Sequence, residues 1–249
     1  MVYTMAGSLI SYLMVIQFPE NASAWQEIFL RWVHFLAGIT WIGMLYFFNL
    51  VNVNLMKALD APTKGKVIPQ LMPRALWWFR WGAVVTVLMG LWYYGIILSR
   101  EPSTGRIFGT WLILVIVAWG LFYLILRPVS GALNNGNLIA LLVAIIVFLL
   151  AWGVLYFNAT PDSSNRALCI GIGGGLGVIM LLNVWGIIWP HQKQIIAWTK
   201  ANAENGTPIP PEAAKLARRA FLASRANAWL SLPMLFFMAA ASHFPFLGK

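Results

Sequence analysis

The chain has 249 residues, 60% of them hydrophobic and 10% charged, with a formal net charge of +10. A soluble domain would carry about a quarter charged residues, so a water-soluble globular fold is excluded. The basic excess does not mark a nucleic-acid surface either, because Lys and Arg are confined to the segments between apolar runs, where they set membrane topology. The single cysteine, Cys169, sits inside an apolar run. That excludes an internal disulfide, a CxxCH haem attachment and a cysteine-based zinc or iron–sulfur site.

In chain order, residues 1–18 are apolar but lack a basic leader and a small-residue cleavage site, so they predict a short extra span or an interfacial helix rather than a signal peptide. Six apolar runs follow: Ala24–Lys57, Trp77–Leu98, Ile107–Leu126, Leu138–Phe157, Ala167–Trp189 and Ala228–Phe244. Runs near or above 18 residues mark membrane-spanning helices. The expected fold is all-α, a polytopic transmembrane helical bundle of six or seven spans. It forms one integral membrane domain over 1–249, with an apolar extension (1–23), a five-helix core (24–190), a cytoplasmic loop (191–227) and a last span (228–249).

Lys57, Lys64, Lys66, Arg74 and Arg80, then Arg127, then the basic residues from Lys193 to Arg225 alternate with a sparse opposite side. That side carries Arg31, Arg100, Arg106, Arg166 and Lys249. The positive-inside rule places the rich side in the cytoplasm and the C-terminus outside. Within the long loop, "PIPPEAAKLARRAFLASRA" starts with prolines and continues as a basic, alanine-rich pattern, which predicts an amphipathic helix on the membrane surface. The cluster "GIGGGLG" (Gly171 to Gly177) lies in mid-span with no strand before it, so a nucleotide loop is the wrong context. Its small-xxx-small spacing suits close helix packing, or clearance for a flat cofactor.

Glu20, Glu27, Asp60, Glu101, Asp162, Glu204 and Glu212 all fall in loops or at span ends. Proton pumps and ion-coupled transporters use a carboxylate inside the membrane, and inverted repeats are not evident here either. The three histidines carry more information. His191, in "WPHQK", reads as an interfacial residue. His34, in "RWVHFLAGITW", and His243, in "ASHFPF", fall at similar depth in the outer leaflet. An imidazole in hydrocarbon needs a partner, and two at one level could supply both axial ligands of a b-type haem. Helical spacing puts Gly38 and Trp41 on the face of His34, where one gives clearance for a porphyrin edge and the other packs on it. The alternative is that each histidine hydrogen-bonds a carbonyl or an interfacial water.

Four stretches then carry a family resemblance: "LRWVHFLAGITWIGMLYFF", "LMPRALWWFRWGAVVTVLMG", "NVWGIIWPHQK" and "SRANAWLSLPMLFFMAAASHFP". In order and spacing, from about Phe29 to Pro245, they resemble the N-terminal membrane domain of bacterial membrane-bound urate oxidases (urate hydroxylases). The first helix also resembles, more distantly, that of a bacterial membrane protoporphyrinogen oxidase with a histidine in its first span. The resemblance implies a bacterial inner-membrane protein and haem b held by His34 and His243, with Gly38, Trp41 and Arg80 around it. It also implies partner subunits of a membrane complex or a separate c-type cytochrome.

The sequence departs from the family's urate-oxidising members in four places. "DAPTKGKVIPQ" replaces a His/Gly-rich stretch, Gly82 stands where a glutamate is expected, and Ala226 precedes Asn227 where a histidine is expected. The chain also stops at Lys249, where long members continue into a cytochrome c domain. Oxidising a purine needs an acid or base and an electron acceptor, so urate oxidation by this chain alone is not expected. Three classes follow: a haem-bearing redox subunit, a membrane oxidase working with a separate cytochrome, and a cofactor-free structural subunit of a respiratory or photosynthetic assembly.

Overall fold

The computed structural model describes residues 18–127 and 135–248, so the predicted helix over 1–18 lies almost wholly outside the described residues. The described residues form six helices and no strand. They are α1 (Ala22–Ala58), α2 (Ala61–Leu98), α3 (Thr104–Leu126), α4 (Gly136–Asn158), α5 (Asn165–Asn205) and α6 (Glu212–His243). The first five are long and apolar enough to cross a membrane. α6 has the length, but Asn227, Ser231 and Pro233 dilute its apolar run.

Local chemistry sets the boundaries. Asn21 caps α1 by accepting the Ala24 N–H at 2.9 Å, and Ser164 caps α5 by accepting the Ala167 N–H at 3.2 Å. Asp60 caps α2, whose first turn holds Pro62, a position where the missing N–H costs nothing. α5 stops at Gly206, whose φ of 67° suits a residue without Cβ. The expected 191–227 loop is therefore mostly helix. α5 runs on to Asn205 and α6 starts at Glu212, and the predicted amphipathic helix is the first half of α6. Its alanine-rich sequence has no breaker between Glu212 and Pro233, so nothing interrupts it.

α5 is the central helix. In its most apolar stretch 78% is buried, against 17–39% for the other four spans. Its glycines explain why: a Cβ at Gly173 would meet the Met234 carbonyl of α6 at 3.2 Å, and one at Gly175 would meet Val115 of α3 at 3.1 Å. Close approach needs small residues in a membrane, where lipid is as apolar as leucine. α1 and α2 pair in the same way, since a Cβ at Gly82 would lie 3.3 Å from the Trp41 nitrogen and 3.4 Å from the Ala37 oxygen. Gly82 is a point of backbone contact, which is the physical reason a glutamate does not fit there. Ala226 is fully buried, so the expected histidine has no room either.

One end of the bundle, the Ser103 end, is tied by polar contacts. Arg100 pairs with Glu27, the Ser164 hydroxyl donates to Glu101 at 2.5 Å, and Arg106 donates to the Phe157 carbonyl at 2.6 Å. Asn165 donates to Ala240 O and accepts from the N–H groups of Phe246 and Leu247. At the Pro211 end, Gly65 of α2 lies against Ala203 of α5. Two π-helical segments interrupt the α-helical register, Phe47–Asn52 in α1 and Val184–Ile188 in α5. The first buries Asn49, whose amide donates to Leu45 O and to the Ser224 hydroxyl, each at 2.9 Å.

Candidate functional site

His34 sits on α1 beside α2, and its Nδ1–H donates to the Thr86 carbonyl at 2.8 Å. That oxygen can only accept, so Nδ1 carries the proton and Nε2 is left with its lone pair in the neutral ring. The ring has space because residue 90 is glycine. A Cβ there would stand 2.9 Å from His34 Cε1 and 3.0 Å from Nδ1. Thr86 in turn bonds back to Gly82 O at 2.7 Å and lies under Gly38. A backbone carbonyl and a glycine thus fix one tautomer and one orientation, as in the outer shell of histidine metal ligands.

The ring opens onto a cavity of about 430 Å³, within the usual range for ligand sites. Its lining is almost wholly apolar. α1 contributes Gly38, Trp41 and Gly43, α2 contributes Gly90 and Tyr94, α5 contributes Gly174 and Gly177, and α6 contributes Met234 and Met238. Gly43 and Gly177 have nothing within 4 Å of a built Cβ, so they widen the space. Trp41 is fully buried and its Nε1–H has no partner. Arg31 and Ser242 close the lining toward the Ser103 end. Among the described residues, no group of three His, Cys, Asp or Glu could hold a bare metal ion. A single histidine ligand suits a metal that brings its own equatorial donors, so the residues fit a haem: one available nitrogen, glycine clearance, an unpaired indole N–H, and a cation at the rim.

The structure brings His34, Gly38 and Trp41 to one cavity and leaves two expected partners apart. His243 is the last residue of α6, exposed and not among the lining groups. α6 turns Met234, Met238 and Ser242 inward instead. Arg80 is ten residues before Gly90, about 15 Å along α2 toward the Pro211 end. There its guanidinium lies 3.4 Å over the Trp189 ring and 5.4 Å from Trp185, an aromatic clasp between α2 and α5. Arg80 is therefore not part of the cavity. His191 donates to Ile187 O at 2.5 Å within its own helix, at that same end. Thr86, Gly90, Met234 and Met238 escaped notice because none carries a distinctive motif. Gly90 could have been found, being a glycine inside an apolar helix, which costs about 1 kcal/mol against alanine and calls for a packing reason.

Long apolar helices around one histidine-walled cavity define a multi-pass helical membrane protein. The model of the family described as "Urate oxidase N-terminal" matches residues 58–249. The chain belongs to that family and is related to the membrane domain of urate oxidase. The match begins at the end of α1, so His34, Gly38 and Trp41 precede it while Thr86, Gly90 and the α6 methionines fall inside. No characterised protein and no solved structure matches the chain.

Proposed function

We propose that this chain binds one haem b through His34 and serves as an electron-transfer or accessory subunit of a membrane redox complex. The carrying observation is the preset imidazole: Nδ1–H held by Thr86 O, and Nε2 available beside a glycine-walled apolar cavity. When bound, the haem supplies one-electron transfer. The chain's own residues supply the rest. His34 would give the iron a neutral nitrogen, Thr86 O would keep the ring in the tautomer that leaves that nitrogen free, and Trp41 and the apolar walls would exclude water. Arg31, in the cavity lining, would offer a cation to the acidic substituents of such a group. His243 lies outside the cavity lining, and the thioethers of Met234 and Met238 are the further groups in it that could help to hold the iron. The alternation of basic segments supports a bacterial cytoplasmic membrane with the C-terminus outside. That puts the cavity near the outer face, within reach of a c-type cytochrome.

The test is the reduced-minus-oxidised absorption spectrum of protein purified with ample haem. The wild type shows a b-type α-band, and His34→Ala abolishes it. His191→Ala and His243→Ala keep it. A wild type with no Soret band would end the haem reading and leave a cofactor-free structural subunit.

A further inference from the structure

A second set of leftover polar atoms lies in the other half of the bundle, among α3, α5 and α6. Arg219, two turns into α6, keeps its Nε and Nη2 buried and without a hydrogen-bond partner. Those two nitrogens are the guanidinium edge that grips a phosphate or carboxylate side-on. Its charge lies 5.1 Å from the ring of Tyr123 on α3. That ring stands 5.8 Å from Trp119, whose Nε1–H is also buried and unpartnered. Trp119 packs against α5 at Gly186, where a Cβ would meet its ring at 3.1 Å.

The unpaired atoms of this group are all donors. Glu27 pairs with Arg100, Glu101 accepts from Ser164, Asp60 caps α2, and Glu204 pairs with Lys200, while Glu20 and Asp162 belong to the Ser103 end and Glu212 is exposed at the start of α6. Residues 1–17 and 128–134 contain no Asp or Glu, so they cannot bring a carboxylate to Arg219. A guanidinium edge withdrawn from water without a counter-charge is strongly unfavourable, and such an arrangement calls for an anion. Aromatic walls and side-on donors suit a compact oxyanion rather than a chloride ion. Trp119 lies about 10 Å from the end of α3, a depth reached from the membrane–water boundary. Basic pockets between spans at that level are where anionic lipid headgroups bind.

We propose that Arg219 and Trp119 form a binding site for a phosphate-type oxyanion, supplied by the headgroup of an anionic phospholipid. The site is independent of the haem reading and lies at the opposite end of the bundle. Free phosphate has the same chemistry, so the experiment separates the two sources.

Full-length protein in phosphate-free detergent is titrated with phosphatidylglycerol, phosphatidylcholine or inorganic phosphate, and bound species are counted by native mass spectrometry. Phosphatidylglycerol binds in preference to phosphatidylcholine and raises the melting temperature. Arg219→Gln weakens it about 10- to 100-fold, the value of a charged bidentate contact. Arg219→Lys keeps the charge, loses the fork, and binds almost as weakly. Trp119→Phe removes one donor while keeping an aromatic ring and loses several-fold, which keeps the test informative if the arginine variants fold poorly. Lys200→Gln, on an exposed surface, changes nothing. Equal retention of phosphatidylglycerol by Arg219→Gln and Trp119→Phe, or no preference over phosphatidylcholine, overturns the site. Displacement of phosphatidylglycerol by millimolar inorganic phosphate overturns the lipid source.

Discussion

Replacing Gly90 by Ala tests the cradle around His34 directly. The new Cβ would lie 2.9 Å from Cε1 and 3.0 Å from Nδ1, so the ring must move by about 0.5 Å to reach ordinary van der Waals contact. The ring is held by its 2.8 Å bond to Thr86 O, which that movement strains or breaks. Overpacking costs about 1–3 kcal/mol and the lost bond about 1 kcal/mol. Alanine returns about 1 kcal/mol of helix propensity. The net expectation is a loss of about 1–3 kcal/mol in reversible unfolding in mixed micelles. In a His34→Ala background the clash is gone, and the same change becomes neutral or stabilising by up to about 1 kcal/mol. The four proteins of this cycle should therefore show a coupling of about 2 kcal/mol between positions 34 and 90. Equal effects of Gly90→Ala in both backgrounds would refute the contact, and with it the glycine's part in fixing the orientation of the ring.

Other expectations follow from the same contacts. Gly82→Glu forces a side chain between two backbones and a carboxylate into an apolar interface, so it should cost about 3 kcal/mol or more, read as lost yield of monodisperse protein. Asn183 donates to Asn227 Oδ1 at 2.9 Å in the fully buried α5–α6 seam; Asn183→Ala should cost about 1–3 kcal/mol in detergent melts, and the double alanine variant less than the sum of the two. Cysteine at exposed Ala203, in a background where Cys169 is serine, should react with an impermeant reagent only in inverted vesicles; labelling of intact cells would reverse the proposed orientation. The purified chain should not consume urate with a c-type cytochrome as acceptor, because Gly82 and Ala226 occupy backbone-contact and core positions where polar chemistry has no space.

The helical spans were legible because their cause is local. A run such as Leu138–Phe157 has few ways to satisfy its backbone in lipid other than by forming a helix, and the structure gives Gly136–Asn158. The face of α1 was legible too, since Gly38 and Trp41 follow His34 by one and two turns and reach the same cavity. What could not be read was which helix stands opposite. Depth alone suggested His243, but the rotation of α6 is fixed by buried polar seams, Asn227 to Met180 O and Asn165 to Ala240 O, that pair residues far apart in sequence. Those seams turn the methionines inward and leave His243 exposed. Arg80 was misplaced for a related reason, because its aromatic partners Trp185 and Trp189 are supplied by another helix.

The two π-helical segments have a consequence for how this fold tolerates insertion and deletion. Each π turn accommodates one residue more than an α turn while the helix on either side keeps its direction. Losing one residue from an ordinary part of α1 or α5 would rotate everything beyond it by about 100°, turning core positions to the lipid. Losing one within Phe47–Asn52 or Val184–Ile188 can relax the bulge to α-helix and leave both flanks in register. These segments are therefore the places in the two spans where chain length can change by one residue without unthreading the bundle. What goes with the lost residue is local, the inward aim of Asn49 or the seat of Trp119 on Gly186. The bulges act as adjustable joints, and the spans between them are the fixed rods.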